Sequence, residues 1–491
     1  MISYRFLRLR TGFLPVVVFV SLVWLSSCKK DNPGPSGETD VAINQYILDT
    51  MRKDYLWIDD IPEDRSLNLN QNPSSFFNSI LSNQDRFSWI QNAEELHDEQ
   101  QGIIKTSGMG VGVAWLNQST GEVIASVRYV LEGSPAKQQG VKRGDLFVHV
   151  NGQRLMVNEE GDVPALNPIN GNDPFTISLL KDQGDGTLVS DRDVTLTPVA
   201  GFNERAILVD TVWTLLSGKK VGYLFYNRFL DNQREDLIAA FGRLKAQGAE
   251  ELVLDMRYNG GGGIRAAAML SGLIHKDFDP DQLFIKYQYN RRYYDGEENY
   301  RPLLSSGGNF VNAVSTNNLG LQRVFILATY NSASASELVI NNLKPFLGEA
   351  NVIHIGATTY GKNVGSYTID IDVLNDPEKV EWAIQPIIVK LANAADFGDY
   401  ANGFTPSVDN RVNEWDYTPW KPLGSIEDPL VARALSIIEP DMQTVLSKAM
   451  SADKRRAPDG VLPQAVKGYE DVLSRPVPVW LDGVPLQRRM R

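Results

Sequence analysis

The order of apolar and polar positions divides the chain into stretches with different periods. An unbroken apolar run, FLPVVVFVSLVWL, fills residues 13–25 behind Arg5, Arg8 and Arg10, and no acidic residue precedes Asp31. The polar stretch KKDNPGPSGETD (29–40) follows and reads as a flexible tether. Residues 41–56 then carry apolar positions at helical spacing, and Asn72-Pro73-Ser74 opens a second short helix over 73–82. Together these predict a small helical domain over 41–104. From residue 107 the period shortens: 110–116, 122–131, 145–155, 175–181 and 192–199 read as strands separated by turns, a β-rich domain over 105–200.

Beyond residue 201 strands and helices alternate. Residues 220–229, 323–329 and 351–356 read as strands, 251–257 as a buried strand, and 234–248, 262–275 and 334–346 as helices. That rhythm predicts an α/β domain over 201–430 with a largely parallel sheet. The segment 276–320, rich in Tyr, Asn and Gly, is expected to be an insertion over the core. The tail, 431–491, is expected to open with a helix (LVARALSII) and to end irregular and basic. The fold class expected is therefore α/β multidomain.

Composition narrows the picture. The 491 residues exceed one ordinary core, and 43% hydrophobic with 22% charged residues suits a globular chain. A net charge of −12 argues against a nucleic-acid partner, which needs a basic face. The first apolar run is shorter than the ~20 residues of a comfortable membrane span. It ends in Leu25-Ser26-Ser27-Cys28, which resembles a bacterial lipobox. Residues 1–28 are thus read as a lipoprotein signal peptide with Cys28 as the lipidated residue and membrane anchor. A signal peptide with an incidental cysteine, or an anchor helix, are the alternatives. Cys28 is the only cysteine, so disulfides and thiolate metal clusters are excluded. Lys29, rather than an aspartate after the cysteine, points to the outer membrane of a bacterial cell envelope.

The candidate chemistry centres on Ser334, in NSASASEL (331–338), and Lys362, in TTYGKNVG (358–365). A serine hydroxyl needs a base to become a nucleophile near neutral pH. The four histidines lie in no nucleophile motif; His149 and His354 fall in strand-like runs and His97 among acids. A buried lysine serves if desolvation lowers its pKa from about 10.4 to about 7.5, a cost of about 4 kcal/mol. Ser334-Ala335-Ser336-Glu337 also reads as a helix capping box, which explains one serine and the glutamate but not three alternating serines. The strand–glycine–helix run LVLDMRYNGGGG (252–263) presents backbone N–H groups to negative charge. It lacks the Gly-Lys-Ser/Thr ending of a phosphate loop, so an oxyanion hole fits better than a nucleotide site. No GxSxG elbow is present. No metal-ligand set appears, and neither a metal nor a cofactor is expected.

Two resemblances organise these motifs. The stretch GSPAKQQGVKRGD (133–145) with its following VNG resembles a PDZ domain, a fold that binds a peptide as an added edge strand. The resemblance makes SGMGVG (107–112) the carboxylate-binding loop, with Met109, Gly110 and Val111 as peptide-contacting residues. The helix that walls such a groove should fall near 158–170, where EEGDVPALNPING is poor helix material. LVLDMRYNGGGG, NSASASEL and TTYGKNVG, in that order behind a PDZ-like domain, resemble the C-terminal processing peptidases of family S41. The resemblance covers about 41–430 and implies a ClpP/crotonase-like catalytic core.

Carried over residue by residue, the resemblance makes Ser334 the nucleophile and Lys362 the general base. The oxyanion donors become Gly261 or Gly262 together with Ala335. Gly403-Phe404-Thr405-Pro406 matches a turn near the end of such domains. The family keeps a glutamine four residues after the lysine; this chain has Ser366 there, the candidate for orienting Lys362. The implied substrate is an unfolded polypeptide or a protein C-terminus. A degenerate peptidase that only binds peptide or ligand, and a structural envelope lipoprotein, are the rival readings.

Overall fold

The computed structural model describes residues 37–159, 161–183, 187–376, 380–442 and 479–480. The leader, Cys28, the tether up to residue 36 and most of the tail lie outside the described residues. Helix α1 (Gly37–Asp54) starts earlier than its apolar pattern and takes in the end of the expected tether. It buries Ile43, Ile47, Leu48 and Met51 with Phe76 and Phe77 of α2 (Pro73–Ser79). Asn72 caps α2 through its side chain, which accepts the Ser74 N–H, with Pro73 at the first helical position. The domain is not purely helical. A short strand, β1 (Trp89–Asn92), precedes α3 (Ala93–Gln100), and its partner is residues 382–385, near the far end of the α/β domain. Four residues carry no usable period, so the strand exists only because that distant edge receives it.

The β-rich domain runs through β2 (Ile103–Thr106), β3 (Met109–Asn117), β4 (Glu122–Val130), helix α4 (Pro135–Gln138), β5 (Leu146–Val150), β6 (Gln153–Arg154), β7 (Phe175–Asp182), β8 (Leu188–Leu196) and β9 (Val199–Asn203). Its main sheet has the order β3-β4-β5-β7-β8, with β3 at the edge. The expected strand over 145–155 is a hairpin. Asn151 (φ 50°) and Gly152 (φ 74°) make the two-residue turn that the right-handed sheet twist favours. The expected groove helix is a 3₁₀ segment, Pro164–Asn170, with Pro168 inside and Ala165, Leu166 and Ile169 packed inward.

Met109, Gly110 and Val111 require a correction. They were expected in a loop, and they lie in β3, paired with Val130, Tyr129 and Val127 of β4. The loop shrinks to Ser107-Gly108, where Gly108 (φ 88°) packs so closely on Ser134 that no side chain fits. Gly110 takes a strand position because the Tyr129 ring occupies the space beside its α-carbon.

The α/β domain comprises β10 (Ile207–Thr214), β11 (Lys220–Tyr226), α5 (Arg234–Ala246), β12 (Glu251–Asp255), α6 (Ile264–Ile274), β13 (Leu283–Tyr289), β14 (Gly296–Asn299), α7 (Tyr300–Ser305), α8 (Val311–Asn317), β15 (Val324–Ala328), α9 (Ala335–Leu347) and β16 (Val352–Gly356). Strands β11, β12, β15 and β16 are parallel neighbours, and β10 closes the edge antiparallel. Both sheet faces are covered, as near-continuous apolar strands require. Leu224, Leu252, Leu254 and Ile326 pack against α5, α6 and α9. Tyr223, Phe225, Val253 and Phe325 pack against the helix at Pro429–Ile438, which we label α10. That helix therefore covers the second face of the parallel sheet.

The segment 276–320 is likewise part of the architecture rather than laid over it. Strand β13 pairs with β14 and with Ile387–Ala392, in a second sheet that also includes Val364–Ser366 and Val479–Trp480. In chain order these strands are β17 (Val364–Ser366), β18 (Ile369–Asp370), β19 (Trp382–Gln385), β20 (Ile387–Ala392) and β21 (Val479–Trp480).

Candidate active site

Strand β12 ends at Asp255, and the chain turns through Met256-Arg257-Tyr258-Asn259 into the glycine run. The serine run is stitched to this turn. Ser332 Oγ donates to Met256 O at 2.7 Å, Ser336 Oγ donates to Asn259 O at 2.8 Å, and the Ala333 N–H donates to the same carbonyl at 3.1 Å. Two of the three alternating serines are therefore consumed in holding the loop.

Ser334 differs from both. It is fully buried, and its Oγ has no hydrogen-bond partner. Its backbone sits at φ 60°, ψ −113°, a conformation that L-residues adopt at a cost of about 1–3 kcal/mol. It immediately precedes α9, so the helix N-terminus lies behind the hydroxyl and favours negative charge there.

Lys362 lies between β16 and β17 and is 1% exposed. Burial pulls its pKa down to about 7, against the opposing pull of the Asp85 and Glu337 carboxylates. Its Nζ lies 4.9 Å from the Phe87 ring centre and 5.8 Å from that of Trp89. Both rings come from the N-terminal domain. Asp85 is fixed there by the Tyr55 hydroxyl at 2.7 Å and by the N–H groups of Phe87 and Ser88. Burial of the lysine was legible in the sequence; what buries it was not.

Glu337 joins the two loops and was missed as a functional residue because the capping pattern accounted for it. Its Oε2 accepts the Ser334 N–H at 3.0 Å and the Lys362 N–H at 2.8 Å. Its Oε1 accepts the Thr359 hydroxyl at 2.6 Å and the Gly361 N–H at 2.7 Å. Burial pushes its pKa up, and these four donors pull it back toward the ionised form. The Gly403–Pro406 turn supports the same segment, with Thr359 N–H donating to Phe404 O and Phe404 N–H to Thr359 Oγ1.

Ser366 does not orient the lysine. Its hydroxyl is buried in β17 without a hydrogen-bond partner and so makes no bond to Lys362. The Ser334–Lys362 hydrogen bond is not made in this structure; such contacts commonly tighten only with substrate bound.

The oxyanion candidates separate. The Gly261 N–H is spent on Asn259 Oδ1 at 2.9 Å, so Gly261 is corrected from donor to support. Its carbonyl accepts the Phe229 N–H, and the Gly263 N–H donates to Phe229 O. Gly262 (φ 139°) lies between these anchors, and a side chain there would run into Phe229 O. Ala335, the first residue of α9, has its N–H at the helix N-terminus, where no intrahelical acceptor exists. Gly262 and Ala335 are thus the pair available to an oxyanion. Of the histidines, His149 and His354 lie in β5 and β16, and His97 on α3 meets Asp370 at 2.9 Å.

Below the site, Arg257 is wholly buried. It meets Asp255 at 2.7 Å and Asp428 at 2.9 Å, and Arg143 of the β-rich domain reaches Asp428 and Glu414 at 3.4 Å each. This cluster fixes the start of the glycine turn to α10 and to the β-rich domain.

Comparison with known proteins bears on the fold and the family. Residues 220–389 match the model of peptidase family S41, 42–89 that of the peptidase S41 N-terminal domain, and 126–164 that of the PDZ domain. The chain thus carries a peptidase family S41 domain together with S41 N-terminal and PDZ domains. It is 30% identical over 204 residues to a carboxyl-terminal-processing protease of Picosynechococcus, covering 40% of this chain and 45% of that protein. It is 24% identical over 284 residues to the carboxy-terminal processing protease CtpA of Bacillus subtilis, covering 58% and 53%. The chain thus spans about half the length of these relatives. A crystal structure assigned to the S41 proteases, from Bacteroides fragilis, superposes with a TM-score of 0.64 at 25% identity, covering 81% of this chain and 97% of that one.

Proposed function

We propose that this S41 chain is a serine endopeptidase in which Ser334 attacks the scissile carbonyl while Lys362 removes its proton. The carrying observation is the contrast within the serine run: Ser332 and Ser336 are tied to backbone carbonyls, whereas Ser334 is strained, unpaired and linked through Glu337 to a lysine poised near neutrality. The attacked carbonyl becomes an oxyanion held by the N–H groups of Gly262 and Ala335. The Lys362 ammonium gives its proton to the leaving amine. The amine form then takes a proton from water, which attacks the acyl-serine; the ammonium returns that proton to Ser334 Oγ as the second product leaves.

The substrate class is an unfolded polypeptide or a protein C-terminus, with the PDZ-like edge strand β3 as the site of strand addition. Lipidation at Cys28 would tether the enzyme to the outer membrane of a bacterial envelope. Turnover of an unstructured protein by wild type, Ser334→Ala and Lys362→Ala tests the chemistry. Loss in both variants supports the dyad, and undiminished turnover in either removes it. Labelling with a fatty-acid analogue, lost in Cys28→Ser, tests the anchor.

A further inference from the structure

Lys362 lacks the glutamine that its family places four residues on, and the replacement Ser366 makes no hydrogen bond to it. Gln385 on β19 does not fill the gap. Its Nε2 is donated to Thr368 Oγ1 and its Oε1 is buried without a partner. The groups that do face the ammonium are the rings of Phe87 and Trp89.

We propose that Phe87 and Trp89, delivered by the N-terminal domain, are the positioning residues of Lys362 in place of a carboxamide. This rests on the reading of Lys362 as the base. Trp89 is locked by strand pairing, since β1 sets it opposite Gln385 of β19. Phe87 is held by its N–H donating to Asp85 Oδ1 at 2.8 Å and by the Arg86 guanidinium over its ring at 4.9 Å. Arg86 also stacks on Tyr360, two residues before the lysine, at 5.5 Å.

An aromatic face suits a lysine that must alternate between two states. It excludes water, which favours the neutral amine that accepts the serine proton. It also presents a negative quadrupole to the ammonium formed on proton transfer, and this attraction strengthens without water. A carboxamide supplies direction through a hydrogen bond; two rings with centres 4.9 and 5.8 Å from Nζ supply it by confining the ammonium. The N-terminal domain thereby becomes part of the catalytic machinery. The other charged groups facing the site are Asp85, Glu337 and Arg86.

The test uses the full chain with Phe87→Leu, Phe87→Tyr, Trp89→Leu and Trp89→Phe. Two quantities are read: kcat against pH, and the pH midpoint of Lys362 acetylation by acetic anhydride, followed by mass spectrometry in a Ser334→Ala background. The leucine variants keep water out but lose a ring face. Their acetylation midpoint should fall by about half a unit to one unit, with kcat about tenfold lower or more. The ring-retaining variants should keep both values near wild type. Unchanged midpoints in both leucine variants, or equal losses in the tyrosine and phenylalanine variants, would overturn the proposal. Measuring both positions guards against one variant failing to fold. Retained turnover by Lys362→Ala would defeat the dyad reading instead, and the acetylation midpoint reports the ring pair independently of it.

Discussion

The Glu337 carboxylate accepts the backbone N–H of Lys362 at 2.8 Å, and the same oxygen accepts that of Ser334 at 3.0 Å. One buried oxygen therefore sets the separation of the two loops that carry the proposed nucleophile and base. Replacing it with an amide turns one acceptor position into a donor facing an N–H. Glu337→Gln should lower kcat by about a hundredfold or more with little change in KM. It should also cost about 1–3 kcal/mol of stability by denaturant unfolding, the range for leaving buried polar groups unpaired. A change confined to KM would show that Glu337 contacts substrate rather than framing the site.

The depressed pKa of Lys362 gives activity a direction with pH. The base must be neutral, so kcat should rise through a midpoint near 7 and level off above it. Stability follows from the same shift. Below the folded pKa the folded chain must bury a charge. Between about 7 and the unfolded value near 10.5 the unfolded chain binds more protons, so stability rises with pH in that window. Lys362→Met should therefore be more stable than wild type at pH 6–7, by about 2–4 kcal/mol, with the gain shrinking toward pH 10. Calorimetry across that range checks the trend, and a pH-independent difference would contradict it.

The serine run predicts three different phenotypes. Ser334→Gly removes the strained φ and the hydroxyl, and should abolish activity while raising stability by about 1 kcal/mol. Ser332→Ala and Ser336→Ala each free a buried carbonyl, and should lose about 1–2 kcal/mol with activity reduced but present. Paired unfolding and turnover measurements separate these patterns.

Much of this site was legible in the sequence, for identifiable reasons. Period changes located the domains, and the parallel strands followed from apolar runs with helices between. Ser334, Lys362 and the glycine turn were singled out because local spacing carries them, and the structure brings their segments together. The long-range relations were not legible. That Phe87 and Trp89 bury Lys362 depends on pairing between β1 and β19, separated by most of the chain. That the Gly261 N–H is taken up depends on the Asn259 side chain turning back to accept it. That Met109 to Val111 form an edge strand depends on their pairing with Val130, Tyr129 and Val127 of β4.

The Arg257 cluster predicts a stability effect away from the chemistry. Arg257→Ala leaves Asp255 and Asp428 buried without their main counter-charge. It should cost about 3–5 kcal/mol, as broken buried pairs do. A loss under about 1 kcal/mol in chemical denaturation would mean that water reaches the cluster.

The most direct measurement of the central claim is the site and pH dependence of covalent labelling by a fluorophosphonate, which reacts only with an activated serine. The account predicts a single adduct on Ser334, read by peptide mass spectrometry. The adduct should form with a rate midpoint near pH 7 and at least a hundredfold more slowly in Lys362→Ala. An adduct on another residue, or labelling of Lys362→Ala at the wild-type rate, would contradict it.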